Sequence, residues 1–124
     1  MKYIIAAEDD KYYGSIFKTK FTKEGYEITV VENGNQLLDA MRQRKPDLVL
    51  LDLIMPVKDG FEALSEIRAD ENLKTVPVIV LSNLGQEEDI KRAKDLGANE
   101  YFIKADLSLE EMVGKAKSFL PQES

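Results

Sequence analysis

The chain contains neither cysteine nor histidine. The first absence excludes disulfides and thiolate metal sites. The second excludes imidazole catalysis and zinc centres built on imidazole. Positive charge is also scarce: 17 Lys and Arg stand against 23 Asp and Glu, a net charge of −6. An acidic domain repels nucleic acid unless its basic groups cluster, and none cluster here, so no direct nucleic-acid partner is expected. The longest apolar runs are five or six residues, far short of a membrane span. The opening Met1-Lys2-Tyr3-Ile4-Ile5-Ala6-Ala7 runs at once into Glu8-Asp9-Asp10, too short and too acidic for a signal peptide. A soluble cytoplasmic protein with no membrane partner is the expectation.

What is present suits one folded domain. The chain has 124 residues, 44% of them hydrophobic, and at this size roughly two-thirds of the unfolded surface can be buried without covalent staples. Short apolar runs alternate with longer amphipathic ones. The runs are Tyr3–Ala7, Glu27–Val31 after Glu24-Gly25-Tyr26, Leu48–Leu51 after Pro46-Asp47, Val78–Leu81 after Pro77, and Glu100–Ile103 after Gly97-Ala98-Asn99. The third and fourth do not alternate polar with apolar, the pattern of strands covered on both faces.

Between the runs lie helical stripes: Tyr13, Ile16, Phe17 and Phe21; Leu37, Leu38 and Met41; Phe61, Leu64 and Ile67; Ile90, Ala93 and Leu96, stopped by Gly97. A capping box, Ser108-Leu109-Glu110-Glu111, opens the last, with Met112, Val113, Ala116, Phe119 and Leu120 on its stripe. The expected fold is α/β: a single, doubly wound (βα)5 domain with a parallel five-stranded sheet. The domain is expected over residues 1–120, with Pro121-Gln122-Glu123-Ser124 as a tail or the start of a linker.

In such a sheet ligands bind beyond the carboxyl ends of the strands, at the point where strand order reverses. The residues placed there are unusual. Strand one ends in Glu8-Asp9-Asp10, strand three in Asp52, strand four in Ser82-Asn83 and strand five in Lys104. Each has a plainer reading alone: Asp9 or Asp10 as a helix cap, Asp59-Gly60 as a turn and helix start, Ser82 as a loop serine, Lys104 as a solvated amine. The signal is their convergence on one rim. Two carboxylates about 4 Å apart repel by about 4 kcal/mol at an effective dielectric of about 20. A cluster of Glu8, Asp9 and Asp52 therefore needs a proton, a divalent cation or Lys104 beside it. Oxygen ligands select hard cations such as Mg²⁺, which takes one or two carboxylates together with waters and a phosphate.

The stretch Pro46-Asp47-Leu48-Val49-Leu50-Leu51-Asp52-Leu53-Ile54-Met55-Pro56-Val57-Lys58-Asp59-Gly60, with the acidic pair, the hydroxyl after strand four and the lysine after strand five in order, resembles the receiver domains of two-component response regulators. The resemblance runs from Tyr3 to Phe119 and implies a flavodoxin-like sheet of strand order 2-1-3-4-5. It implies a phosphoacceptor at Asp52 and a metal, Mg²⁺ or Mn²⁺, on Glu8, Asp9, Asp52 and the backbone carbonyl of Ile54. It implies a switch hydroxyl at Ser82, a phosphoryl-pairing amine at Lys104 and a switch aromatic at Tyr101 that swings inward. Ile54 and Leu84 would flank the path of the hydrolytic water. The donor would be a phosphohistidine on a sensor histidine kinase or histidine phosphotransfer protein. The aspartyl phosphate would alter a surface on helix four, strand five and helix five, read by a downstream protein or output domain. Such a domain catalyses its own phosphotransfer and slow autodephosphorylation but serves chiefly as a signalling switch, as in a phosphorelay.

This chain departs from the family pattern in places. Ala105 stands where proline is usual; a cis bond before alanine costs about 3 kcal/mol, so a trans Lys104–Ala105 bond is expected. Asn83 replaces a small residue, with narrowed access to Asp52 expected. Gly97-Ala98-Asn99-Glu100-Tyr101 differs from the Gly-Ala-Asp-Asp-Tyr of receivers joined to winged-helix domains. Two other classes compete. A flavodoxin-like electron carrier would need a hydroxyl- and glycine-rich loop after strand one, whereas Glu8-Asp9-Asp10 repels a flavin phosphate. A pseudo-receiver, an interaction module independent of phosphorylation, would have lost site residues that here are all filled.

Overall fold

A computed structural model describes residues 2–120; the expected tail at 121–124 lies outside the described residues. Five parallel strands, β1 (Tyr3–Ala7), β2 (Glu27–Val31), β3 (Leu48–Leu51), β4 (Val78–Ser82) and β5 (Glu100–Ile103), form one sheet of order β2-β1-β3-β4-β5. The connecting helices are α1 (Lys11–Lys23), α2 (Gly34–Gln43), α3 (Gly60–Ala69), α4 (Glu87–Asp95) and α5 (Leu109–Ser118). The expected runs became these strands and the expected stripes these helices, with Leu96, Phe119 and Leu120 just past the ends of α4 and α5. β4 carries one residue more than expected, and a 3-10 turn over Lys104–Asp106 had no counterpart in the sequence reading.

The two covered faces of the sheet explain why the third and fourth runs did not alternate. Ile4, Ala6, Leu48 and Leu50 pack with Phe17 and Phe21 of α1 and Met112, Val113 and Ala116 of α5. Tyr3, Ile5, Ala7, Val49 and Leu51 pack on the other side with Leu37, Leu38 and Met41 of α2 and Ala63, Leu64 and Ile67 of α3. Both sets are apolar because both faces are roofed by helices. A smaller cluster joins Leu53, Phe61, Val80, Ala93 and Tyr101 near the carboxyl edge.

Helix starts follow local chemistry. Asp10 accepts from the Tyr12 and Tyr13 amides, Asn33 from Gln36, and Asp59 from Glu62. The Ser108–Glu111 capping box forms as expected. Asp10, not Asp9, therefore caps α1, which leaves the Asp9 carboxylate for other work. Among the described residues no helix is long and apolar enough to cross a membrane.

Candidate active site

The strand order reverses between β1 and β3, which pair in parallel with Ala7 opposite Leu51. The residues just beyond them, Glu8 and Asp52, thus emerge side by side. Their amides continue the ladder, Glu8 N–H to the Val31 carbonyl at 2.8 Å and Asp52 N–H to the Ala7 carbonyl at 3.0 Å. Carboxylate oxygens of Glu8, Asp9 and Asp52 lie within 4.8 Å of one another, Glu8 and Asp52 buried and Asp9 exposed. Lys104, at the end of β5 and only 4% exposed, reaches between them. Its Nζ donates to Glu8 Oε2 and, at 3.0 Å, to Asp52 Oδ2. Asp52 Oδ1 accepts the Ile54 amide at 3.2 Å, and Glu8 Oε1 accepts the Asp10 amide at 3.1 Å.

Burial pushes the Glu8 carboxyl up to about 7, against the pull of its Lys104 bond and with the Asp52 charge raising it further. Burial works against the Lys104 charge too. The Glu8 hydrogen bond and the Asp52 and Glu8 charges outweigh it and hold the ammonium above the ordinary lysine range. Lys104 stays charged, and burial makes negative charge on Glu8 costly. Hard oxygen donors gathered this closely, with more acid than base, fit a small divalent cation.

Ser82 is fully buried at the end of β4. Its hydroxyl accepts the Leu84 amide at 3.4 Å. Tyr101 already lies inward, 8% exposed, with its hydroxyl donating to the Leu84 carbonyl at 2.5 Å. Ile54 is 56% exposed, whereas Leu84 is half-buried against the Leu53–Tyr101 cluster. No cis peptide bond occurs among the described residues, so Lys104–Ala105 is trans as expected.

Some residues of the site were not singled out from sequence. Gly60, read only as a turn, closes the β3–α3 loop against the site. A Cβ there would strike the Asp52 carbonyl oxygen and come within 2.7 Å of Leu53 Cα. Tyr13, read as core, lies under the Lys104 ammonium, 4.6 Å from ring centroid to Nζ, a cation–π contact. Its position one turn beyond Glu8-Asp9-Asp10 was the available signal. Val57 adopts φ +68, and the Lys58 amide reaches back to the Pro56 carbonyl at 2.7 Å, closing a tight turn around it.

A family model for the response regulator receiver domain matches residues 4–117. Sporulation initiation phosphotransferase F of Bacillus subtilis is 37% identical over 118 residues, covering 94% of this chain and 92% of that protein. Among solved structures, the phosphorylated cyanobacterial phytochrome response regulator RcpA aligns with a TM-score of 0.81 at 34% identity, over 94% of this chain and 89% of that one. The receiver domain of a Pseudomonas aeruginosa sensor histidine kinase, with a magnesium ion coordinated in its active-site cleft, aligns with a TM-score of 0.85 at 28% identity, over 95% and 96% of the two chains. These relatives favour the phosphoacceptor reading over an interaction module independent of phosphorylation. Fold, carboxyl-edge chemistry and likeness along nearly the whole length agree, and this chain belongs to the response regulator receiver domains of two-component signalling.

Proposed function

We propose that Asp52 is the phosphoacceptor, served by Lys104, Ser82 and a metal held on Glu8, Asp9, Asp52 and the Ile54 carbonyl, within a receiver spanning residues 1–120. The observation that carries this reading is the buried Lys104 ammonium bridging Glu8 and Asp52 beside the free Asp9 carboxylate. A carboxylate oxygen of Asp52 attacks phosphorus of a phosphohistidine on a sensor histidine kinase or histidine phosphotransfer protein. One P–O bond forms as the P–N bond breaks, and the departing imidazole takes its proton from solvent. Mg²⁺ is the expected ion, with Mn²⁺ an acceptable substitute, and when bound it neutralises the carboxylates and the phosphoryl oxygens. Lys104 pairs with one phosphoryl oxygen and the Ser82 hydroxyl with another. Tyr101, tied to the Leu84 carbonyl, links movement of that loop to α4, β5 and α5, the face offered to a downstream protein or output domain.

A protein donor also suits the rim. Among the described residues the exposed large apolar side chains are Tyr12, Ile54 and Val57, on the segments that leave β1 and β3 at this edge. The similarity to a named phosphotransferase supports a role in passing phosphoryl groups between proteins. Intact mass after incubation with a small-molecule phosphodonor and Mg²⁺ tests the assignment. Wild type should gain one phosphoryl group and Asp52→Asn none, while the variant stays folded because removing a carboxylate relieves repulsion. A phosphoryl group retained at normal yield on another residue would overturn it.

A further inference from the structure

Asn83 and Ala105, which both depart from the family pattern, meet in the structure. The Ala105 amide donates to Asn83 Oδ1 at 3.0 Å. Proline at that position would have no N–H to give. The donor also settles the orientation of the side-chain amide, because its oxygen rather than its NH₂ must face an N–H. Both residues are exposed, so water would satisfy either group and the bond is not required by burial. Its location is what gives it consequence. It ties the residue after the Ser82 hydroxyl to the residue after the Lys104 ammonium, and so joins the two turns that carry them. The turn after β4 is held a second time by Tyr101, through the Leu84 carbonyl. The turn after β5 is a short 3-10 segment, closed by the Leu107 amide on the Lys104 carbonyl at 3.2 Å. Lys104 therefore reaches Asp52 from a backbone without proline's rigidity, and the side chain of Asn83 supplies a restraint in its place.

We infer that Asn83 is a positioning residue for phosphoryl transfer: by holding the Ala105 amide it sets the backbone from which Lys104 reaches the phosphoryl oxygens and couples it to the Ser82 turn. This rests on the proposed role of Lys104. It reverses the expectation that Asn83 mainly obstructs Asp52, for an obstruction removed would speed the reaction and a restraint removed would slow it.

The test compares wild type, Asn83→Ala, Ala105→Pro, their double variant and Asn83→Asp, which keeps the acceptor. Phosphorylation by acetyl phosphate with saturating Mg²⁺ is followed across donor concentrations, and exchange of the Ala105 amide is followed by NMR. Asn83→Ala should slow the saturated rate by roughly three- to tenfold, a modest loss of positioning. Half-saturating donor and Mg²⁺ protection against heat should be unchanged, and the Ala105 amide should exchange faster. Asn83→Asp should keep that amide protected. In the Ala105→Pro background, where the donor is gone, Asn83→Ala should slow the reaction no further. An Asn83→Ala protein as fast as wild type or faster, or one slowed equally in the proline background, overturns the inference alone. A wild type that takes up no phosphoryl group overturns the underlying function and this role with it.

Discussion

At the amino edge of the sheet, Arg68 of α3 donates to the Gly97 carbonyl through Nε and Nη2 at 3.0 and 2.8 Å. It also reaches the Val76 and Lys74 carbonyls through Nη1 at 2.8 and 3.1 Å, and Asn99 Oδ1 through Nη2 at 3.0 Å. At the carboxyl edge, Lys104 is buried between Glu8 and Asp52 with Asp9 nearby. Both cations are held by several oxygens, but the oxygens differ. Those around Arg68 are neutral dipoles, so the guanidinium clamps the segments entering β4 and β5 without creating any demand for another ion. Burial lowers the proton affinity of Arg68, yet leaves an arginine charged. Around Lys104 the oxygens belong to carboxylates that outnumber it. That site stays unbalanced unless a proton or a metal joins it. A polar network built from neutral acceptors stabilises; one built from surplus acid is suited to exchange its partners.

The comparison is sharpened most by Glu8. Its carboxyl titrates at about 7 when folded, above its ordinary 4.5, so the stability it contributes is full below about 4.5 and is lost as pH rises through 7. Metal-free wild type should lose about 2–3 kcal/mol between pH 5 and pH 8. Glu8→Gln should remove most of that slope, and Mg²⁺ should stabilise wild type more at pH 8 than at pH 5. Melting curves at the two pH values check both. Arg68→Met should cost about 2 kcal/mol, because it leaves several carbonyls short of a donor. It should leave phosphorylation by a small donor near the wild-type rate. Denaturant titration with the mass assay would separate the two edges, and a loss of phosphorylation equal to that of Asp52→Asn would break the distinction.

Smaller effects belong to the loops of the carboxyl edge. We propose that Ile54 and Leu84 shield the phosphoryl group and flank the path of the in-line water; neither can orient that water, so the aspartyl phosphate should be long-lived. Ile54→Asn combined with Leu84→Glu should shorten its lifetime about tenfold, equivalent to about 1.4 kcal/mol of barrier. Because Leu84 also packs on the Leu53–Tyr101 cluster, Ile54→Asn alone is the cleaner arm. Phosphate loss in Mg²⁺ measures both, and decay no faster than wild type removes the shielding idea. Val57 holds φ +68 with a β-branched side chain 79% exposed. Glycine there should stabilise by about 0.5–1 kcal/mol, the relief of left-handed strain less glycine's entropy. A lower melting temperature in Val57→Gly would show that the side chain has contacts worth more than the strain.

Asp52, Ser82 and Lys104 were legible because each terminates an apolar run, and a parallel sheet sends all its strand ends to one rim. Spacing alone left Asp9 and Asp10 as equal candidates for the helix cap; the amides of Tyr12 and Tyr13 choose Asp10. Arg68 left no mark in the sequence. Its acceptors are mostly main-chain carbonyls, which every residue carries, on segments 6 to 31 residues away.

By itself the sequence determined the strands and α-helices, their order and the chemical character of the carboxyl edge, because periodicity and capping are read from neighbours a few residues apart. Tertiary structure decided which groups touch. Lys104 is 96 residues from Glu8 and 52 from Asp52, and Asn83 is 22 from Ala105. Those pairings depend on the order and register in which β1, β3, β4 and β5 are laid side by side. The same is true of Gly60, whose missing side chain matters only because the Asp52 carbonyl comes to rest against it.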